Sequence, residues 1–260
     1  MIWTELKQRY DYKRLLIICP KVLTDKWKTE LRQKIGVKAE IIKPKEFLER
    51  FKVEEEYAFI CGLEGIAQKN VIEKLKDYDY EDPLIDLLIV DEAHKLRNSE
   101  TKRNHVVAKI RELANYATFL SATPIQNKND DLFSLVKILD SDNFTYKEYF
   151  DYMMENIKGL VSLKKLILES KPSVEELLKH IEFVQEKDKS GILSDSKQMA
   201  ALKNRLQSRK DKSLSIEEYQ KIAYELDEIN SLGYIFNRTD RKSTRLNSSH
   251  SGQSRMPSSA

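Results

Sequence analysis

"LLIVDEAHKLRN", residues 87–98, decides the fold. Leu87, Leu88, Ile89 and Val90 run without a polar break, as a strand covered on both faces of a parallel sheet should. The run then delivers two adjacent carboxylates, Asp91 and Glu92, where the strand must end. Parallel sheets present their working residues at the carboxyl edge. In triphosphate hydrolysis a first carboxylate there can hold Mg2+ through its water shell while a second polarises the attacking water, and the rest is positioning. An acidic strand end or a helix cap would explain the same "DEAH" letters without chemistry.

Working outward, Arg14 to about Asp140 alternates short β-rich runs with amphipathic stretches, the signature of a parallel sheet with crossover helices. The strands read as "RLLIICP" (14–20), "KAEIIK" (38–43), "YAFIC" (57–61), "DLLIVDEA" (86–93) and "YATFLSA" (116–122). A helix is predicted over 24–34, with Trp27, Leu31 and the following Ile35 on one face. Another is predicted over 101–115, with Val106, Ile110 and Leu113 together.

Beyond Asp140 the strands stop, and the chain to about Leu232 reads as helices. "TYKEYFDYMMENIKGLVSLKKLI" (145–167) spaces its aromatic and aliphatic residues three and four apart. "SVEELLKHIEFVQ" (173–185) follows Pro172 and opens with Ser173 as N-cap and Glu176 three residues on, a capping box. "SIEEYQKIAYELDEINSLG" (215–233) repeats the device with Ser215 and Glu218, and Gly233 is the expected stop. "EKDKSGILSDSK" (186–197) reads as a loop. The fold class is therefore α/β, a parallel sheet with crossover helices over 1–140 followed by an all-helical segment over 141–232.

With 40% hydrophobic and 33% charged residues, the 260-residue chain has material for one large or two small soluble domains. No apolar run reaches membrane-span length, and "MIWTELKQRYDYKR" lacks the basic leader and apolar core of a secretory signal. A cytoplasmic protein with no membrane partner is expected. Cys19 and Cys61 lack any CxxC spacing and read as reduced, buried strand residues.

The last 21 residues, "DRKSTRLNSSHSGQSRMPSSA", hold seven serines and no periodicity. A disordered tail is one reading. The other is that Asp240 to His250 and Ser254 to Ala260 resemble, in order and frame, the translation of a common short-read sequencing adapter, with 251–253 at its variable index; 240–260 is then an artefact to exclude. Removing its four basic residues and one acid from 45 basic and 42 acidic residues leaves 41 of each. Bulk charge then argues neither for nor against nucleic acid, and any such contact must be local.

Downstream of the acidic pair, "FLSATPIQN" (119–127) is a second apolar strand ending in small hydroxyl residues. Ser121 and Thr123 at a neighbouring strand end could hydrogen-bond His94 or the acidic pair and couple phosphate state to movement. An ordinary strand-to-helix turn, with Thr123 before Pro124, is the alternative.

"DLLIVDEAHKLRN" (86–98) followed by "TFLSATPIQNKNDDLFSLVKIL" (118–139) resembles the second and third motifs of SWI/SNF-type helicase-like ATPases of superfamily two. "RLLIICPKVLTDKWKTEL" (14–31) resembles that family's motif after the first helix, in which a strand, a proline and a tryptophan-bearing helix face the DNA backbone. The three blocks stand in family order, and the resemblance covers residues 1–239. It implies an incomplete RecA-like first lobe (1–140), a helical protrusion (141–232), and the start of a connection to a second lobe in "LGYIFNRT" (residues 233–239 and the leucine before them).

Carried over by motif, Asp91 would coordinate Mg2+ through water and Glu92 would activate water. His94, Ser121, Thr123 and Gln126 would couple hydrolysis to DNA movement. Lys21 is a candidate phosphate contact, with a solvated loop lysine as the alternative. Where the family places a serine or threonine near its next DNA-contacting loop, "ICGLEG" offers Cys61 and Gly62, so a backbone N–H at Gly62 would replace a hydroxyl. The implied cofactors are ATP and Mg2+, and the implied partner is double-stranded DNA. Within the family the chain is most similar to the bacterial branch that includes the RNA-polymerase-recycling ATPase. RNA polymerase or another nucleoprotein complex is then an implied partner, and the nucleoid an implied location.

A phosphate-binding loop needs glycines followed by lysine and a hydroxyl residue, and none of the seven glycines here precedes a lysine. In the family that loop lies one helix before the "LLIICP" strand, so the expectation is an interior fragment of a double-stranded DNA translocase whose glycine-lysine loop lies upstream of Met1 and whose second lobe lies beyond Thr239. Competing expectations are another superfamily-two motor, such as an RNA helicase or restriction translocase, and a degenerate lobe serving as a binding module.

Overall fold

The computed structural model describes residues 2–46, 49–52, 55–68, 71, 73, 75, 83–122, 129–209 and 213–229. Thr123, Gln126, Gly233, the "LGYIFNRT" stretch and the 240–260 tail lie outside the described residues. The chain divides into two compact units, Met1–Phe150 and Asp151–Ala260.

In the first unit the strands are β1 (Arg14–Cys19), β2 (Glu40–Ile41), β3 (Tyr57–Gly62), β4 (Ile85–Val90) and β5 (Ala114–Phe119). They form one sheet in the order β2-β3-β1-β4-β5, with every neighbouring pair parallel. Helix α1 (Ile2–Tyr10) precedes the first strand; α2 (Thr24–Ile35), the single turn α3 (Leu63–Ile66) and α4 (Lys102–Glu112) run between strands, with α5 (Asn129–Leu139) after the last. This is the α/β crossover architecture expected of the sequence.

Alternation along β1 explains why its run is apolar throughout. Leu15, Ile17 and Cys19 join Trp3 and Leu31 in one core, with Trp27 and Ile35 packed at its margin. Leu16 and Ile18 join Val106, Val107 and Ile110 of α4 and Leu135 and Ile138 of α5 in the core on the other face. A strand buried on both sides has no place for the polar half of a period-2 pattern. Cys19 and Cys61 are both free and buried, and burial, ahead of all other causes, pushes each thiol up to about 12.

Several boundaries move from the sequence expectation. The fourth strand stops at Val90, because Glu92 adopts left-handed φ 53°, ψ 43° and turns the chain into a short 3-10 turn, Ala93–Leu96. The helix predicted over 101–115 ends at Glu112 because β5 begins at Ala114, two residues before the predicted strand. Side-chain capping by Thr101, which accepts the Asn104 N–H at 3.3 Å, sets its start. The run predicted as the strand 38–43 contributes only Glu40–Ile41 to the sheet.

The second unit is helical among its described residues. Helix α6 (Lys147–Ser170), which begins in the first unit, is followed by α7 (Val174–Glu186), α8 (Lys197–Gln207) and α9 (Ile216–Ile229). Leu160, Leu163 and Ile167 share a core with Leu177, Ile181, Leu202, Ile222 and Leu226. The capping box at Ser173 and Glu176 is formed in both directions, and Ser215 and Glu218 make the same reciprocal pair at 2.9 and 3.2 Å. The loop between α7 and α8 is organised by Asp188, whose carboxylate accepts the N–H groups of Ser190, Leu193 and Ser194 and the Asn156 side-chain amide. Burial works against its charge, but the Ser190 hydroxyl, which donates at 2.6 Å, together with the Asn156 amide and the backbone donors outweighs it and holds Asp188 below the usual carboxylate range.

Candidate functional site

All four strand ends that matter lie along one carboxyl edge, because the sheet is parallel throughout. Reading across that edge, β3 ends at Gly62, β1 leads to Lys21, β4 leads to Asp91 and Glu92, and β5 leads to Ser121. The acidic turn is pinned from both neighbours. Asp91 N–H donates to the Ile18 carbonyl at 2.8 Å, and Ala93 N–H donates to the Leu120 carbonyl at 2.8 Å.

The Asp91 carboxylate accepts two N–H donors, the Glu92 backbone on Oδ1 at 2.8 Å and the Trp27 indole Nε1 on Oδ2 at 2.8 Å. An ionised carboxylate has about four acceptor positions, so each oxygen retains one. The left-handed Glu92 brings its Oε2 to 3.0 Å from His94 Nδ1, and Ser121 Oγ lies 3.4 Å from the same nitrogen. Three of the sequence-predicted residues thus form one polar string across two strand ends, Glu92 to His94 to Ser121.

Lys21 and Gly62 are also neighbours: a Cβ built on Gly62 would meet Lys21 Cβ at 3.5 Å, an ordinary contact. The Cys61 side chain is no substitute for a surface hydroxyl. It is fully buried, and its thiol faces the Gly62 carbonyl at 3.9 Å.

Two contributors to this edge, Trp27 and Glu64, are not among the residues the sequence singles out for the site. Trp27 was read as part of an apolar stripe on a DNA-facing helix, whereas its N–H reaches back to Asp91. Glu64 accepts the Lys21 N–H on Oε2 at 3.0 Å and pairs through Oε1 with Lys95 Nζ at 3.7 Å, tying the loop after β1 to the turn after Asp91. Burial raises its pKa, but the backbone donors and the cations Lys95 and Arg103 lower it by more. Asp86, at the opposite edge, takes the Lys13 and Arg14 N–H groups at 2.8 Å each and the Arg14 guanidinium at 2.6 Å. For Glu64 the available signal was a carboxylate two residues beyond the "CG" strand end.

The fold is thus of the α/β class, a parallel sheet that carries an acidic pair, a histidine and a hydroxyl on adjoining strand ends. The chain belongs to the SNF2-related domain family, whose family model matches residues 1–256. It is 30% identical over 142 residues to YqhH of Bacillus subtilis (strain 168), described as an uncharacterized ATP-dependent helicase. That alignment covers 53% of this chain and 23% of YqhH, so the matched stretch spans less than a quarter of that relative. Among solved structures it is similar to the SWI2/SNF2 ATPase core of Sulfolobus solfataricus in complex with double-stranded DNA. The TM-score is 0.44 at 16% identity, covering 87% of this chain and 57% of that one.

Proposed function

We propose that this chain supplies the Mg2+- and water-handling half of an ATP-dependent double-stranded DNA translocase. The observation that carries the reading is the string from Glu92 through His94 to Ser121, beside an Asp91 carboxylate held by two N–H donors. In this reading Asp91 uses its remaining acceptor positions on the water shell of Mg2+. Among the described residues no group of three His, Cys, Asp or Glu side chains could cage a metal. A single carboxylate suits an ion that keeps its waters and takes its other ligands from nucleotide phosphates. When bound, the ion spreads the phosphate charge.

Glu92 is the group that polarises water, and its contact with His94 makes its position sensitive to what happens at Ser121. Thr123 and Gln126 extend the coupling in the same reading. Lys21 and the Gly62 backbone, side by side on β1 and β3, are the nucleic-acid contacts. Residues 1–140 act as the first lobe, 141–232 as its helical protrusion and 233–239 as the connection onward. The finer reading takes RNA polymerase or another nucleoprotein complex as the object moved, in the cytoplasm and, if the source is a bacterium, at the nucleoid. Among the described residues no helix is long and apolar enough to cross a membrane.

The test is duplex-stimulated ATP hydrolysis by the product of the reading frame that contains this chain. Glu92→Gln keeps shape and removes the base, and turnover is expected to fall roughly 10²–10⁴-fold. The 260-residue chain has no glycine followed by lysine and is expected to show no turnover by itself. Turnover indifferent to duplex DNA, or unchanged in Glu92→Gln, sinks the proposal.

A further inference from the structure

Trp27 has a single side-chain donor and no acceptor, and that donor is spent on Asp91 Oδ2 at 2.8 Å. Its ring packs against the core that α2 shares with β1, so the indole is held by apolar contacts on one side and by a carboxylate on the other. The terminal torsion of an aspartate is broad and poorly restrained by itself. With the Glu92 N–H on one oxygen and the indole on the other, the Asp91 carboxylate plane is fixed at both ends.

The same helix reaches the other side of the edge. Thr24, the first residue of α2, donates its hydroxyl to the Lys21 carbonyl at 2.9 Å, and Leu23 N–H donates to the Pro20 carbonyl at 2.8 Å. A continuous set of contacts therefore runs from the Lys21 loop through the first turn of α2 to Trp27 and on to Asp91. We infer that Trp27 is a positioning residue for Asp91, and that its indole N–H keeps the Lys21 loop and the acidic turn in one register. The inference rests on the ATPase reading only for its catalytic consequence.

The bond can be read without nucleotide. The chain has two tryptophans, and the Trp3 indole nitrogen is buried with no hydrogen-bond partner among the described residues, which makes it an internal reference. In a proton–nitrogen correlation spectrum of the 260-residue chain, Trp27→Phe deletes one indole resonance and so assigns it. Asp91→Ala is expected to move that resonance upfield and speed its exchange with water about tenfold or more, as loss of a hydrogen bond to a charged acceptor implies. Trp3 should keep its position. Asp91→Asn, which preserves shape and an acceptor oxygen, should give an intermediate shift, and it carries the test if Asp91→Ala does not fold.

A Trp27 resonance unmoved by both Asp91 variants overturns the inference. In the duplex-stimulated ATPase, Trp27→Phe is expected to lower kcat roughly tenfold at unchanged KM for ATP, and a rise in KM alone would also overturn it. A wild-type product without turnover defeats the ATPase reading, while the indole resonance still decides the positioning.

Discussion

At the scale of single residues, the most committed electrostatics lies away from the candidate site. Asp86 is 4% exposed and Arg14 13%, and they meet at the amino edge because paired strands bring the starts of β1 and β4 together, with Leu15 opposite Leu87. Burial raises the Asp86 pKa, yet the Arg14 side chain and the Lys13 and Arg14 N–H groups lower it by more, so its folded value is depressed. Stability from this carboxylate is then present in full above the unfolded value of about 3.9 and is lost as pH falls through the folded one. Asp86→Ala removes the carboxylate that faces the half-buried Arg14 guanidinium and takes the Lys13 and Arg14 N–H groups, and urea unfolding at pH 7 should show a loss of about 3–5 kcal/mol. The loss should shrink as the comparison moves down from about pH 5; a pH-independent difference would reject the pairing as its source. This pair was legible in principle, as opposite charges leading into two apolar runs. Asp91 and Glu92 were legible because chemistry and strand end coincide in one short stretch. The Trp27 partner was not, since 64 positions separate donor from acceptor and only the packing of α2 on β1 brings them together.

At the scale of elements, boundaries were least legible where two signals compete for the same residues. Leu113 completes the apolar stripe of α4 but the chain passes into β5 one residue later, and local periodicity carries no account of that pairing. Caps were read correctly at Ser173 and Ser215 because their partners lie three residues away in sequence. Gly159 is a case where the local rule misleads. In a helix interior glycine costs roughly 1 kcal/mol relative to alanine, which makes Gly159→Ala look stabilising. A Cβ there, however, would lie 2.9 Å from Val184 Cγ1 of α7, and overpacking of this kind costs about 1–3 kcal/mol. Gly159→Ala should therefore destabilise the protein by about 1 kcal/mol net. In a Val184→Ala background, where the clashing methyl groups are gone, the same change should become stabilising by about 1 kcal/mol. A cycle of the four proteins by thermal or urea unfolding reads the sign change, and additive effects would show that α6 and α7 do not approach closely at this point.

At the scale of the whole molecule, what remains is charge, because the proposed function on DNA requires a local cation surplus. The full chain carries a formal +3, and the four basic residues of 240–260 account for the surplus, since residues 1–239 balance at 41 of each sign. Each phosphate neutralised by a lysine or arginine adds about 0.9 to the slope of log affinity against log salt. Binding of the 260-residue chain to duplex DNA should therefore weaken with salt more steeply than that of a chain ending at Thr239, by up to about 3.6 for four contacts. In the proposed reading the slope left in the shorter chain comes from the carboxyl edge, where Lys21 stands beside Gly62. Lys21→Ala should lower that remaining slope by about 0.9 and weaken binding to all sequences alike, because a phosphate contact carries no base information. Fluorescence anisotropy across a salt series separates the contributions. A shorter chain that binds with its slope unchanged by Lys21→Ala would remove Lys21 from the nucleic-acid face. The proposed nucleotide site at the acidic turn would then have to couple to DNA through other residues of the same edge.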